Sequence, residues 1–119
     1  MDIVVTNNPL VLEQFRDAYE VHFVEADLNG VLTRVRDLVH KGHKLLTHPL
    51  MGSVKPNESP YKSVIMSSAG KSTDTQSVMI IEECISASQK FTQRNILEKY
   101  LNDLQMVDLS LIRASLVNN

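Results

Sequence analysis

Short apolar segments alternate with helical patterns along the first half of the chain. Segments of strand length begin at Ile3, Tyr19, Lys44 and Ser63, and helical patterns separate the first three of them. Strands that alternate with helices are typical of a parallel sheet with right-handed crossovers. The stretch before the fourth segment has no helical pattern, which leaves the direction of that strand open. We predict a Rossmann-like or flavodoxin-like three-layer α/β domain with about four mainly parallel strands.

The two helices in this half have recognisable start and stop signals. Asn8 precedes Pro9, and asparagine is favoured at the N-cap whereas proline is favoured at the first helical position. Asp27 is the predicted N-cap of the second helix, and Gly42 follows that helix where a left-handed residue commonly lies. Between them, apolar residues recur at helical spacing: Leu28, Val31, Leu32, Val35, Leu38 and Val39.

The second half of the chain is predicted to be helical. Residues 77–91 carry a broad apolar face, residues 96–104 repeat the pattern, and Asp108 is the predicted N-cap of a last helix. A chain of 119 residues has the length of one domain. We therefore expect a single domain over residues 1–119, with a strand-rich half (1–68) and a helical half (74–119).

Composition excludes several classes of function. The net charge is −2 and no dense run of lysine or arginine occurs, so we expect no nucleic-acid partner. No apolar run approaches the roughly 18 residues that a membrane span needs, and no basic segment precedes an apolar one as in a secretory signal. The single cysteine, Cys84, allows no internal disulfide and fits a reducing compartment. We expect a cytoplasmic protein.

A long polar loop between the third and fourth predicted strands is the most distinctive segment. Residues 47–62 contain Pro49, Pro56 and Pro60. Proline fixes its own φ and restrains the residue before it, so this loop is expected to hold a defined shape. Loops of this length in a compact domain are often functional. The loop is therefore the predicted site.

The fold prediction places this loop beside the start of the first helix. Ligands of open α/β sheets bind beyond the carboxyl ends of parallel strands, and free amides at a helix N-terminus attract anions. If the first and third strands are neighbours, the loop and the turn after the first strand line one crevice. We expect a small anionic or polar ligand there. Its candidate contacts are Asn7, Asn8, His48, Ser53, Lys55, Asn57 and Lys62.

Each of these residues also has a purely structural interpretation. Asn7 and Asn8 are favoured in turns and caps on conformational grounds alone. His48 can hydrogen-bond its own loop, and Lys55 and Lys62 can be solvated charges. Ser53 and Asn57 can satisfy backbone groups of the loop. Their concentration in one stiff segment, rather than any single residue, supports the prediction.

Metal and cofactor sites are not expected. A strand rises about 3.3 Å per residue, so His43 and His48 would lie roughly 16 Å apart and could not share a zinc ion. Neither a G-x-G-x-x-G motif nor a Walker loop is present, which leaves a dinucleotide or a triphosphate cofactor without support. Cys84 lies on the apolar side of its helical pattern and is expected in the core.

Two segments resemble the GrdX family. They comprise residues 5–11, with Thr6-Asn7-Asn8-Pro9, and residues 39–63, with His40-Lys41-Gly42-His43 and the proline-containing loop. The resemblance implies a small cytoplasmic protein encoded beside the glycine, sarcosine and betaine reductase genes of anaerobic amino-acid fermenters. It implies an accessory role near a selenium- and thiol-dependent reductase, and it implies no catalytic residue.

Three functions remain open from the sequence. The first is an accessory protein that binds a small anion or a reductase component through the 47–62 loop. The second is a small enzyme with His48 as general acid/base and Lys55 or Lys62 holding an anion, since histidine titrates near neutral pH. The third is an interaction protein that forms a homodimer through its helical half.

Overall fold

The computed structural model of the chain describes residues 1–50, 59–90 and 96–117. Three strands and four α-helices lie in these residues, together with a 3₁₀ helix at Glu98–Tyr100. In chain order, the strands and α-helices are β1 Ile3–Thr6, α1 Pro9–Phe15, β2 Glu20–Phe23, α2 Leu28–His40, β3 Ser63–Met66, α3 Thr75–Gln89 and α4 Leu101–Val117.

The sheet is mixed, with strand order β2-β1-β3 in the described part of the chain. β1 pairs with β2 in parallel and with β3 in antiparallel, in a register that places Thr6 opposite Ser63. The predicted four-stranded, mainly parallel Rossmann-like or flavodoxin-like fold is therefore wrong, although the chain is α/β in general. The central strand has one neighbour of each orientation.

The segment predicted as the third strand explains this difference. Between Lys44 and Thr47 the chain makes a single antiparallel bridge, Leu45 to Met66, on the outer side of β3. Two apolar residues are too few to hold a longer ladder, and one of them, Leu46, is 42% exposed. The Thr47 hydroxyl instead accepts from the Ile65 amide at 3.0 Å. The segment thus lies beside β3 and is not a neighbour of β1, contrary to the predicted order.

Local signals at the helix ends are confirmed. The Asn8 side chain accepts from the Leu10 amide at 3.0 Å, with Pro9 as the first helical residue. The Asp27 carboxylate accepts from the Gly30 amide at 3.0 Å and caps α2. Gly42 has φ 99°, the left-handed conformation that glycine adopts with little strain. These short-range interactions depend on neighbouring residues alone, which is why the sequence reveals them.

Helices cover both faces of the sheet. Successive strand residues point to opposite faces, so Ile3 and Val5 face α2 and α3 whereas Val4 faces α1 and α4. Val64 and Met66 of β3 join the first group, and Ile65 joins the second. Two apolar clusters result, one on each side of β1.

The last helix differs from its prediction. α4 is one helix over Leu101–Val117, and Asp108 lies inside it rather than at its N-cap. The polar residues Gln105 and Asp108 interrupt the apolar pattern, which made one helix look like two. Asp108 is only 5% exposed and faces the sheet side of the helix. This placement makes it part of the candidate site.

Candidate functional site

A buried polar cluster lies where the carboxyl end of β1 meets the start of β3 and the middle of α4. We call it the carboxyl-end cluster. All of its members are at most 9% exposed: Thr6, Asn7, Asn8, Lys62, Ser63 and Asp108. The antiparallel pairing of Thr6 with Ser63 positions the two strand ends, and the packing of Leu109 and Ile112 against Val4 and Ile65 positions Asp108.

Two hydroxyl groups connect β1 to the Asp108 carboxylate. Ser63 Oγ donates to Asp108 Oδ2 at 2.7 Å. Because this uses the only hydroxyl proton of Ser63, the 2.7 Å contact between Thr6 Oγ1 and Ser63 Oγ has Thr6 as its donor. Thr6 Oγ1 also accepts from the Asn8 amide at 2.9 Å. The result is a directional chain of hydrogen bonds that ends on a charged acceptor, an arrangement in which each bond strengthens the next.

Asn8 joins the helix start of α1 to α4. Its Nδ2 donates to Asp108 Oδ2 and to the Gln105 carbonyl, both at 3.0 Å, while its Oδ1 caps α1. All the polar atoms of this side chain are thus engaged within the protein. The cap interpretation of Asn8 is observed, and a hydrogen bond from its Nδ2 to a ligand would require one of these donated bonds to break.

Asn7 links three segments of backbone. Its Nδ2 donates to the Ala26 carbonyl at 2.9 Å and to the Pro60 carbonyl at 2.7 Å. Its Oδ1 accepts from the Lys62 amide at 2.9 Å. The end of the long loop is therefore held against the turn after β1 and the turn before α2.

Lys62 is the buried cation of the cluster. The residue is 7% exposed, and burial lowers the pKa of its ammonium group below the ordinary 10.5, an effect that the Asp108 charge opposes more weakly. Because desolvation disfavours the charged form of a buried lysine, a nearby anion would stabilise its ammonium group. The interpretation of Lys62 as a plain solvated charge does not match this burial.

The other predicted contacts are distributed differently. His48 is exposed, and its Nδ1 accepts from the Leu50 amide at 3.1 Å, so the ring serves its own turn through an unprotonated nitrogen. Among the described contacts, none joins His48 to the cluster. Ser53, Lys55 and Asn57 lie outside the described residues. The structure thus brings together Asn7, Asn8 and Lys62 of the seven predicted residues.

Thr6, Ser63 and Asp108 were not predicted as site residues. A signal for Asp108 was present, because residues 101, 105, 108 and 112 follow helical spacing along the buried side of α4. A carboxylate in a core position of a helix needs a partner, and this marks it as a candidate. Thr6 and Ser63 carry no such signal, since both types are common in strands.

Little free volume remains at the cluster. A cavity of about 10 Å³ lies beside Lys62 and Asp108, walled by Ser59, Tyr61, Val107 and Leu111. This is room for about one water molecule. The Tyr61 hydroxyl accepts from Gln105 Nε2 at 2.9 Å and so closes the cavity from the side of the loop. In this conformation the described residues leave no space for a larger ligand.

Large apolar side chains are exposed along α4 and along the segment just before it. Leu97, Tyr100, Met106 and Val107 are 60%, 49%, 54% and 43% exposed. Tyr100, the residue just before α4, and the half-buried or exposed Leu104, Val107 and Leu111 of α4 are spaced i, i+4, i+7 and i+11, so they follow one side of the helix. We call these four residues the α4 apolar surface. Val107 and Leu111 also wall the cavity, which makes this surface continuous with the mouth of the cluster.

The match to known families extends over nearly the whole chain. The family model described as GrdX-like protein matches residues 3–117. The chain belongs to the GrdX-like family. Membership confirms the resemblance drawn from two segments, extends it to α3 and α4, and associates the chain with the glycine reductase system. No curated protein and no solved structure matches the chain.

Within the described residues, no helix has the length and hydropathy to cross a membrane. In the same ranges, no three side chains among histidine, cysteine, aspartate and glutamate lie close enough to hold a metal ion together.

Cys84 of this GrdX-like chain is expected to be chemically inert in the folded state. It is 3% exposed, and burial, with a smaller contribution from the Glu83 charge, raises the pKa of its thiol to about 11. The reactive thiolate fraction at pH 7 is then on the order of 10⁻⁴. Labelling by a thiol reagent such as DTNB should be slow for the native protein and fast in denaturant.

A matched control lies two residues further along α3. The double variant Cys84→Ala, Ser86→Cys places a thiol at an exposed position of the same helix and should label rapidly without denaturant. Equal native labelling rates for Cys84 and for this introduced cysteine would contradict the prediction.

Proposed function

We propose that this GrdX-like protein is a non-enzymatic accessory protein that binds a protein component of the glycine reductase system. The observation that carries the proposal is the α4 apolar surface beside the carboxyl-end cluster. Contiguous exposed apolar residues on a small domain are typical of sites of protein contact. The buried centres of such contacts are more apolar than the rest of a protein surface and are enriched in aromatic side chains such as tyrosine.

The anchoring of the long loop supports this location. Asn7 holds the loop end at Pro60 and Lys62, and Gln105 holds Tyr61 against α4. Tyr61 is therefore fixed beside Val107 and Leu111 in the free protein. A preorganised contact surface costs less conformational entropy on binding than a loose one. The partner is expected to cover both Tyr61 and the α4 apolar surface.

Binding to purified reductase components tests the proposal. Val107→Glu puts a charge in the middle of the surface at a residue that is 43% exposed, so the fold should tolerate it. Burying an unpaired charge in an interface should weaken binding at least about tenfold. Met79→Glu is the matched control, because Met79 is 59% exposed on α3 at the other face of the sheet.

The proposal predicts unchanged binding by Met79→Glu and lost binding by Val107→Glu, measured by calorimetry or by co-purification with each component. If no reductase component binds the unmodified protein, or if Val107→Glu binds as well as Met79→Glu, the proposal is wrong.

A second candidate function rests on Lys62. A buried ammonium group at the end of the proline-containing loop favours the binding of a small anion, because the anion's charge would offset the cost of desolvation. The small volume beside it means that such a ligand would have to displace Tyr61 or the loop. Thermal shift with glycine, betaine, phosphate and acetyl phosphate tests this function, and Lys62→Met should abolish any shift that the unmodified protein shows.

The same substitution has a distinct effect on stability. The folded-state pKa of Lys62 is lowered, so the unfolded chain holds more protons between that pKa and 10.5. Stability should therefore rise with pH through this window, and the desolvation penalty should be fully present below it. Lys62→Met keeps much of the side-chain packing and removes the penalty, so we expect a higher Tm at pH 7 and a flatter rise of stability with pH.

Lys90→Met is the control for this prediction, since Lys90 is exposed at the end of α3. Urea unfolding between neutral and alkaline pH measures both variants. A Tm for Lys62→Met well below that of Lys90→Met would mean that the ammonium group stabilises the fold, contrary to the prediction.

A further inference from the structure

A large polar groove lies at the other end of the sheet. Its volume is about 480 Å³, within the range of small-molecule sites. It is formed by the end of α2, the segment after β3 and the start of α3, where Ser67 and Ser68 follow the strand pairing of Met66 with Ile3. The carboxyl-end cluster lies at Thr6 and Ser63, so the two places are at opposite ends of β1.

Two glycines that line the groove are in close contact. The Gly70 amide donates to the Gly42 carbonyl at 2.8 Å. Gly42 has φ 99°, and a Cβ at this position would lie 2.7 Å from the Gly70 carbonyl oxygen. Both the conformation and the approach therefore require glycine at position 42. The sequence signal that predicted a helix end at Gly42 also marks this junction.

Further hydrogen bonds fix the walls. The Ser67 amide donates to the Lys44 carbonyl at 2.8 Å, and the Lys44 amide donates to Ser67 Oγ at 2.9 Å. The ring Nδ1 of His43 lies 2.9 Å from the Ser67 carbonyl oxygen, where it can donate. Backbone and side-chain hydrogen bonds between these two chain segments thus hold this part of the groove in place without a ligand.

The lining of the groove is polar. Eleven residues line it: five carry hydroxyl groups, two are lysines, two are glycines, and the others are Asp74 and Gln76. None of them is a large apolar residue. Lys44 and Lys71 outnumber the one carboxylate, so the groove has a net positive charge. Hydroxyl and ammonium donors are the groups that bind phosphate oxygens.

We propose that this groove binds a phosphate group carried by a small molecule, with Lys44 and Lys71 as the charged contacts. The volume exceeds that of a phosphate ion several-fold and leaves room for an organic substituent. Hydroxyl donors such as Ser72 and Thr73 supply hydrogen bonds to the remaining oxygens.

The groove is not a P-loop site for a nucleoside triphosphate. Gly70-Lys71-Ser72 matches the end of the Walker pattern, but Ile65 of β3 stands where the pattern requires its first glycine. In addition, Asp74 caps α3 by accepting from the Ser77 amide and hydroxyl at 3.0 and 2.6 Å. The start of α3 is therefore already occupied by a carboxylate, and binding rests on the side chains.

Removal of the Asp74 charge and removal of either lysine charge should change the affinity for phosphate in opposite directions. Its carboxylate repels an anion in the groove, whereas the two lysines attract one. Asp74→Asn keeps a favoured capping residue and removes the charge, so affinity should rise. Lys44→Gln and Lys71→Gln should each lower affinity about tenfold, the loss of one charge-assisted contact.

Titration of the ¹⁵N-labelled full chain with inorganic phosphate and with glycerol phosphate measures these effects. We expect saturable amide shifts centred on Lys44, Gly70 and Ser72, stronger binding of glycerol phosphate, and no change in Lys41→Gln, an exposed lysine outside the groove. Shifts that fail to saturate, equal affinities in Lys71→Gln and Lys41→Gln, or an affinity that does not rise in Asp74→Asn would each overturn the proposal. None of these outcomes depends on binding to a reductase component.

Discussion

Replacement of Asp108 by alanine is expected to lower the free energy of unfolding by about 3 kcal/mol, a large part of the 5–15 kcal/mol typical of a domain. The carboxylate accepts from Ser63 Oγ and Asn8 Nδ2, both in buried positions. Each donor keeps one other contact, which limits the loss. Lys62, however, loses the nearby charge that partly compensates its burial. Urea denaturation at pH 7 measures the effect.

Asp103→Ala is the matched control on the same helix. Asp103 is exposed in the first turn of α4, so its loss should cost only a few tenths of a kcal/mol through the helix dipole. Combining Asp108→Ala with Lys62→Met should cost less than the sum of the single changes, because the two groups interact. Strict additivity would show that the charge of Lys62 does not contribute to the role of Asp108.

Replacement of Asn7 by alanine is expected to cost about 2–4 kcal/mol and to lower Tm by roughly 10 °C. The side chain makes three hydrogen bonds, to the carbonyls of Ala26 and Pro60 and from the Lys62 amide. Their removal leaves the buried Lys62 amide without that acceptor and frees the end of the long loop. Hydrogen exchange at the Lys62 amide should accelerate more than exchange in β1.

Asn102→Ala provides the comparison for this change. Asn102 is exposed on α4, and alanine is the better helix former, so stability should be unchanged or slightly higher. If Asn7→Ala were as mild as Asn102→Ala, the loop end would be held by other contacts, and Asn7 would be free to serve a ligand.

Short-range features of this chain are predictable from its sequence. The caps at Asn8 and Asp27 and the left-handed Gly42 each depend on a few neighbouring residues, and all three are observed. The three strands and α2 also follow from apolar spacing. The pattern of strands and helices along the chain does not reveal the order of the strands in the sheet. β3 displaces the Lys44–Thr47 segment from β1 because Val64-Ile65-Met66 is a longer apolar run for pairing than the two leucines of that segment.

The site was predictable only in part, for a related reason. Asn7, Asn8 and Lys62 come together because antiparallel pairing brings Ser63 opposite Thr6, an arrangement that spacing along the chain does not reveal. Asp108 reaches the same place from a distance of 100 residues, through its bond to Asn8. Its position within a continuous helix depends on the burial of α4 against Val4 and Ile65, a tertiary effect.

The central position of β1 has a consequence for synthesis on the ribosome. β1 is translated about 100 residues before the middle of α4, yet Val4 is covered by Leu109 and Ile112 of that helix. At about 5–20 residues per second, its apolar side chains wait on the order of ten seconds for these partners. Until α4 has been translated, this face of β1 lacks these partners, and the apolar cluster on that side of the sheet can be completed only afterwards.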